Sequence, residues 1–259
     1  MSNTKKINIK AFHPDLIPPN SANMNNPNQG GGKIVIIGKP NAGKSVLINW
    51  LLYQKKDIFP VGMVMNGSEA ENHQYAKTMF PSTFVYNEYH EDKLADFIRR
   101  QKLAKEYISN PWAVLILDDC TDDRNIFNTE LMIGLYKRGR HQKLLFLLSL
   151  QYANDVKPNI KTCIDGTFIM REPSIKLRKI LWENYASIIP DFSMFCEIMD
   201  QITNDYTALY IHNNTTSNQM EDCIFWCKAE QIDPNFKFGC KEYWDFHHER
   251  YNQEYVDPL

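Results

Sequence analysis

The residues with the clearest chemistry lie in "IVIIGKPNAGKSVLINWLL", residues 34–52, where Gly38, Gly43, Lys44 and Ser45 complete the pattern G-x-x-x-x-G-K-[ST]. Such a loop holds phosphate through its backbone, because the N–H groups of the turn and of the helix start that follows point at the anion. Lys44 adds a positive charge for the β- and γ-oxygens, and the Ser45 hydroxyl is the expected Mg²⁺ ligand. The nucleotide-binding stretch is therefore Gly38, Lys39, Pro40, Asn41, Ala42, Gly43, Lys44, Ser45 and Val46. A phosphate loop of this kind needs a second, acidic strand to hold the metal, and "AVLILDD" supplies one. Asp118 at the strand end is the expected metal ligand opposite Ser45. Asp119 stands where an acid orients and deprotonates an attacking water.

Three nucleotide machines share these residues: a GTP switch, a small-molecule kinase and an ATP-driven motor. Pro40 and Asn41 are familiar from GTPase loops. However, the chain has no Asn-Lys-x-Asp tetrapeptide to read guanine, and no glycine follows Asp118 as a switch would require. Roughly seventy residues separate Ser45 from Asp118. That spacing suits the ATPase class in which another strand is inserted between the phosphate-loop strand and the metal strand. A kinase wants a lid of several arginines, and "MREPSIKLRK" offers Arg171 and Arg178. "LLFLLSLQ" is an apolar strand ending in Gln151, an amide suited to sensing the γ-phosphate or its lytic water. Before it lie Arg138 and Arg140 in "YKRGRHQK", with two readings open. They are basic residues favoured at a helix C-terminus, or one of them reaches the γ-phosphate of a neighbouring subunit and stabilises transition-state charge.

The elements that must position these groups follow from the periodicity. "KIVIIG", "FPVGMVMN", "TFVYNEY", "WAVLILDDC", "KLLFLLSLQ", "CIDGTFIM", "YTALYIHN" and "DCIFWCKA" read as strands. Helices are expected over "SVLINWLLYQKK", "SEAENHQYAKTMF", "EDKLADFIRRQKLAKEYI" and "NTELMIGLYKRG", and near 174–189 and 192–202. In the third, Leu94, Phe97, Ile98 and Leu103 are assigned to one apolar side. Strands alternating with helices predict an α/β, doubly wound sheet, since parallel strands need crossover connections. The expected fold is a P-loop NTPase of the RecA-like, ASCE type, a parallel-core sheet flanked by helices on both faces. Residues 1–32, rich in Asn, Pro and Gly, are expected as a flexible tail, 33–230 as the motor domain and 231–259 as a short aromatic and acidic C-terminal extension.

Composition narrows the partners. A net charge of -2 over 259 residues gives no global basic field for coating nucleic acid or membrane. No stretch approaches the roughly 18–20 apolar residues of a membrane span, so no direct span is expected. Six scattered cysteines without a C-x-x-C pair read as free thiols of a reducing compartment.

"GKPNAGKS", then "LILDD", then "GRH" leading into "LLFLLSLQ", together with the late "YTALYIHNNTTSNQMEDCIFWCKA", resemble the genome-packaging ATPases of large eukaryotic DNA viruses, the poxvirus-type branch of the FtsK–HerA superfamily. The resemblance covers about residues 33 to 229. It implies ATP and Mg²⁺ as cofactors, with Lys44 and Ser45 serving triphosphate and metal and Asp118 the metal. Asp119 would serve the water, Gln151 the sensor, and Arg138 or Arg140 the trans-acting finger. It also implies a homo-oligomeric ring, hexameric or pentameric, that pushes double-stranded DNA into a capsid. Partners would be viral capsid or inner-membrane proteins, and the location viral assembly sites in the host cytoplasm and the virion. The wider superfamily commonly has Glu where this chain has Asp119, and the shorter acid requires its water to sit closer. A nucleotide or nucleoside kinase and a non-motor P-loop ATPase are the alternatives. No DNA-contacting residue is assigned.

Overall fold

The apolar run Lys33–Ile37 is buried along its whole length, as a strand covered on both faces must be. The structure, a computed structural model, describes residues 8–76, 79–120, 123–153, 156 and 158–251. In chain order the described elements begin with β1 (Lys10–Ala11), β2 (Lys33–Ile37), α1 (Lys44–Gln54), β3 (Val61–Asn66), α2 (Glu69–Asn72), β4 (Val85–Tyr86) and α3 (Glu91–Tyr107). They continue with β5 (Ala113–Asp118), α4 (Glu130–Arg138), β6 (Leu144–Leu150), α5 (Pro158–Lys161), β7 (Gly166–Ile169) and α6 (Ile175–Tyr185). Last come α7 (Phe192–Ile202), β8 (Thr207–His212), β9 (Ile224–Lys228) and α8 (Lys241–Arg250). The strands form one sheet in the order β1-β9-β8-β7-β2-β6-β5-β3-β4.

Two features of that order position the site. First, β6 lies between β2 and β5 and pairs in parallel with both, which is the inserted strand expected from the spacing. Second, β8 runs antiparallel to both of its neighbours, while the other described strands share one direction. The ends of β2, β3, β5 and β6 therefore meet at a single carboxyl edge, and the start of β8 arrives at that same edge.

Alternation along the strands divides the core. Ile34, Ile36, Val114, Ile116, Leu145 and Leu147 pack with Leu47, Ile48, Leu51 and Leu52 of α1 and with Tyr243 of α8. Val35, Ile37, Leu115, Leu117, Phe146 and Leu148 pack with α3, α4, α6 and α7 through Leu94, Leu135, Leu181 and Phe195. Helices thus cover both faces of a P-loop NTPase sheet.

Several expectations are corrected. Residues 8–32 are folded onto the body rather than loose. Phe12 is buried against Phe168 and Tyr210, with ring centroids 5.2 and 4.7 Å away. Lys55 Nζ donates to Ile17 O and Pro19 O at 2.7 and 2.8 Å. Lys143 Nζ donates to Asn26 O, Pro27 O and Gln29 O at 2.8–3.1 Å. A count of apolar side chains misses this, because the segment is held largely by its carbonyls. The C-terminal extension also docks, with Phe238 buried and Tyr243 Oη donating to Gly62 O at 2.6 Å.

On α3 it is Gln101, seven residues after Leu94, that completes the buried stripe; Leu103 is 54% exposed. Gln101 Nε2 donates to Pro111 O and Gln142 O, so a polar residue holds the helix down. The helix expected over 68–80 is a single turn, α2, which stops at His73. Glu69 turns inward and accepts from the backbone N–H groups of Tyr75 and Ala76, folding the chain back on itself. The strand expected at "TFVYNEY" is two residues of edge strand after a 3₁₀ turn at Ser82–Phe84.

Candidate active site

Between Ile37 and Lys44 the chain turns through a loop opened by Gly38 N donating to Leu150 O at 3.0 Å. Gly43, at φ 95°, caps α1 in the left-handed region that favours glycine. As a glycine, Gly43 supplies no side-chain cap, which leaves the first N–H groups of α1 available to an anion. Lys44 is buried and curls back over the loop. Its Nζ donates to Gly38 O at 2.9 Å and Lys39 O at 3.4 Å, and lies 3.3 Å from Asp119 Oδ2.

Asp118 closes β5 and is 2% exposed. Its Oδ2 accepts from Tyr75 Oη at 2.8 Å and from Ser45 Oγ at 3.4 Å. Its Oδ1 is buried without a hydrogen-bond partner among the described residues. Burial raises the Asp118 carboxyl above its ordinary range, against the Ser149 and Tyr75 hydroxyls, which favour the charged form. Burial, then the nearby Asp118 charge, push the Tyr75 phenol well above its ordinary value, so it stays a proton donor to the carboxylate.

Asp119 sits at φ 46°, uncommon for a residue with a side chain. Its carbonyl presses on Gly67, where an added Cβ would lie 2.2 Å from Asp119 O. This close approach requires glycine at position 67. Asp119 Oδ1, like Asp118 Oδ1, is buried without a hydrogen-bond partner among the described residues. Two orphaned carboxylate oxygens beside a serine hydroxyl fit a hard divalent cation, which takes oxygen ligands.

These groups line one cavity of about 750 Å³, within the usual range for ligand sites. Of the expected residues, Pro40–Val46, Asp118, Asp119 and Gln151 line it together. Gln151 is exposed, directly after β6. Lys39 points elsewhere, its Nζ 2.9 Å from Glu172 Oε1. Arg138 and Arg140 are not brought to this cavity. They lie where α4 returns the chain to the start of β6, at the opposite edge of the sheet. Arg138 lines a separate hollow with Lys102, Lys105 and His141. Arg140 Nη2 lies 3.6 Å from Asp165 Oδ1 and 3.3 Å from Asn214 Oδ1.

The cavity also holds residues that reading the sequence did not single out: Asn66 and Gln74 on one wall, Asp205, Tyr206 and Lys228 on the other. Asn66 had a legible signal, since it ends the strand beside β5 and donates to the buried Glu69 at 2.9 Å. Tyr75 and Tyr206 had none, because each reaches the site through a turn.

The chain is 52% identical over 241 residues to uncharacterized protein 088R of Invertebrate iridescent virus 3, covering 92% of each chain. It is 48% identical over 258 residues to uncharacterized protein 075L of Invertebrate iridescent virus 6, covering 98% of this chain and 99% of the relative. The chain belongs to this viral family. The fold of this chain is similar to that of the genome packaging NTPase B204 of Sulfolobus turreted icosahedral virus 2, solved in complex with ATP-gammaS. That match has a TM-score of 0.54 at 16% identity and covers 80% of this chain and 100% of the other. Residues 33–64 match the family model described as 50S ribosome-binding GTPase. This range holds β2, α1 and the start of β3, and ends before the acidic strand β5 and the inserted β6.

Proposed function

We propose that the protein is an ATPase of the poxvirus-type, FtsK–HerA genome-packaging branch that works as a ring to drive double-stranded DNA into a viral capsid. One observation carries the ATPase chemistry: Lys44, Ser45, Asp118, Asp119 and Gln151 line one cavity at the carboxyl edge of a sheet whose β6 separates β2 from β5. The motor step draws support from the likeness to B204, a genome packaging NTPase, and from the viral origin of the relatives.

Triphosphate would displace Lys44 from Gly38 O and Asp119, moving its ammonium onto the β- and γ-oxygens. The move frees Asp119 Oδ2 to accept a proton from the attacking water, so one cation swap both binds substrate and unmasks the base. Asp118 and Ser45 would hold Mg²⁺, which neutralises phosphate charge when bound. Tyr75 keeps the Asp118 carboxylate aimed, and the Gln151 amide orients the γ-phosphate and water. Arg138 or Arg140, remote from their own cavity, act on a neighbour's, which makes hydrolysis depend on the ring. The motor acts at assembly sites in the host cytoplasm and in the virion, anchored by capsid or inner-membrane proteins.

The test is phosphate release from ATP with and without double-stranded DNA. DNA should stimulate turnover, and Lys44→Ala should reduce it at least about 100-fold without loss of folding. Lys44-dependent hydrolysis that ignores DNA would sink the translocase, and phosphate transfer to a small acceptor would identify a kinase.

A further inference from the structure

The triphosphate loop stands at the centre of the sheet, with the metal strand to one side and the reversed strand β8 to the other. The γ-phosphate end of a bound nucleotide is tied to the side of Asp118 and Ser45. Its other end must then leave the loop across the first turn of α1, toward the start of β8 and the end of β9. Two apolar side chains wait there with no internal use. Val46, in that first turn, is 58% exposed, and Tyr206 is 68% exposed. Both line the cavity that holds the phosphate loop.

Tyr206 leans on the loop itself, its Cδ1 3.3 Å from where a Cβ on Gly43 would lie. The backbone that carries it is unusual. Asp205 and Tyr206 sit in succession at φ 50° and 58°, a left-handed conformation in which Cβ crowds the following carbonyl oxygen. The turn is closed by Thr207 N donating to Asn204 O at 3.0 Å. It is braced across the hairpin by Asp205 pairing with Lys228, which stands opposite Thr207 in the β8–β9 register. A strained backbone is thus spent on holding an aromatic ring out of the core, and such strain is characteristic of ligand clamps.

Resting on the nucleoside-triphosphate reading of the loop, we propose that Tyr206 and Val46 form the nucleobase clamp of this site. The base stacks on the Tyr206 ring, and Val46 closes the opposite side. The recognition is one of shape and π-surface, in keeping with the sequence tolerance of base–aromatic stacking. The antiparallel strand β8 gains a reason from this. Reversal brings its first residues, rather than its last, to the edge where the ligand lies.

The test compares binding of ATP and of inorganic tripolyphosphate, each with Mg²⁺, to the full chain by calorimetry. Tyr206→Ala should weaken ATP about tenfold or more while changing tripolyphosphate less than about twofold, and Tyr206→Phe should bind both as the native protein does. ATP affinity unaffected by Tyr206→Ala overturns the clamp, as does equal loss of both ligands, which would make Tyr206 a prop for the loop. Native protein that binds tripolyphosphate as tightly as ATP overturns the clamp but leaves the phosphate loop standing. Native protein that binds neither overturns the nucleotide reading and the clamp together.

Discussion

The two edges of the central sheet use similar residues to opposite ends. At the carboxyl edge, Asp118 is buried and Asp119 half-buried, each with a buried oxygen lacking a hydrogen-bond partner among the described residues. At the amino edge the buried charges are engaged. Asp165 takes the backbone N–H of Lys33 at 2.9 Å and sits 3.7 Å from its Nζ and 3.6 Å from Arg140. Lys55 and Lys143 are turned onto carbonyls of the N-terminal segment. One edge spends its polar groups on holding the chain together, and the other keeps bonding capacity in reserve. Among the buried carboxylates named here, an oxygen left without a partner marks the ligand edge and full engagement the structural one.

Asp118→Asn attacks the reserve directly. It should lower ATP hydrolysis about 10²–10³-fold, or roughly 3–4 kcal/mol in barrier, yet leave the metal-free protein as stable as before or more so. Because burial raises this carboxyl in the folded state, its contribution to stability is complete below the ordinary carboxylate value of about 4 and is lost as pH rises through the raised one. Melting temperatures of mutant and native protein in chelator should therefore diverge in the mutant's favour with rising pH. A mutant that melts well below native protein at pH 7 would make Asp118 a structural group.

Asp165→Ala probes the opposite edge. It leaves Lys33 and Arg140 without their carboxylate, and should cost about 3 kcal/mol of stability, as breaking a buried pair does. ATP affinity should move less than about twofold. Lost affinity with unchanged stability would erase the contrast between the edges.

Lys55 gives the smallest effect. Burial lowers its ammonium to about 8 from 10.5. The folded state then binds fewer protons than the unfolded chain between those values, so stability rises with pH across the window. Native protein should gain ~2 kcal/mol relative to Lys55→Met from pH 8 to 10.5, read as the difference in denaturant midpoints. Parallel pH curves for the two would show the ammonium to be solvated.

By itself the sequence determined what is encoded over short range: the phosphate loop from Gly38 to Ser45, the acidic strand end at Asp118 and Asp119, and the alternation that makes an α/β sheet. Each is written in contiguous residues, because a backbone cradle and a buried parallel strand are local constructions. The spacing between Ser45 and Asp118 even foretold an inserted strand. Only the tertiary structure decided which distant residues share the cavity. Tyr75 reaches Asp118 because Glu69 folds its segment back, and Tyr206 reaches the loop because β8 runs backwards. Residues 8–32 are ordered because cations 38 and 116 positions away hold their carbonyls, which no local composition records. The arginines Arg138 and Arg140 carry the same lesson. Their place in the chain suggested a role, but the direction of the crossover put them at the far edge of the sheet, away from the phosphate loop of their own chain.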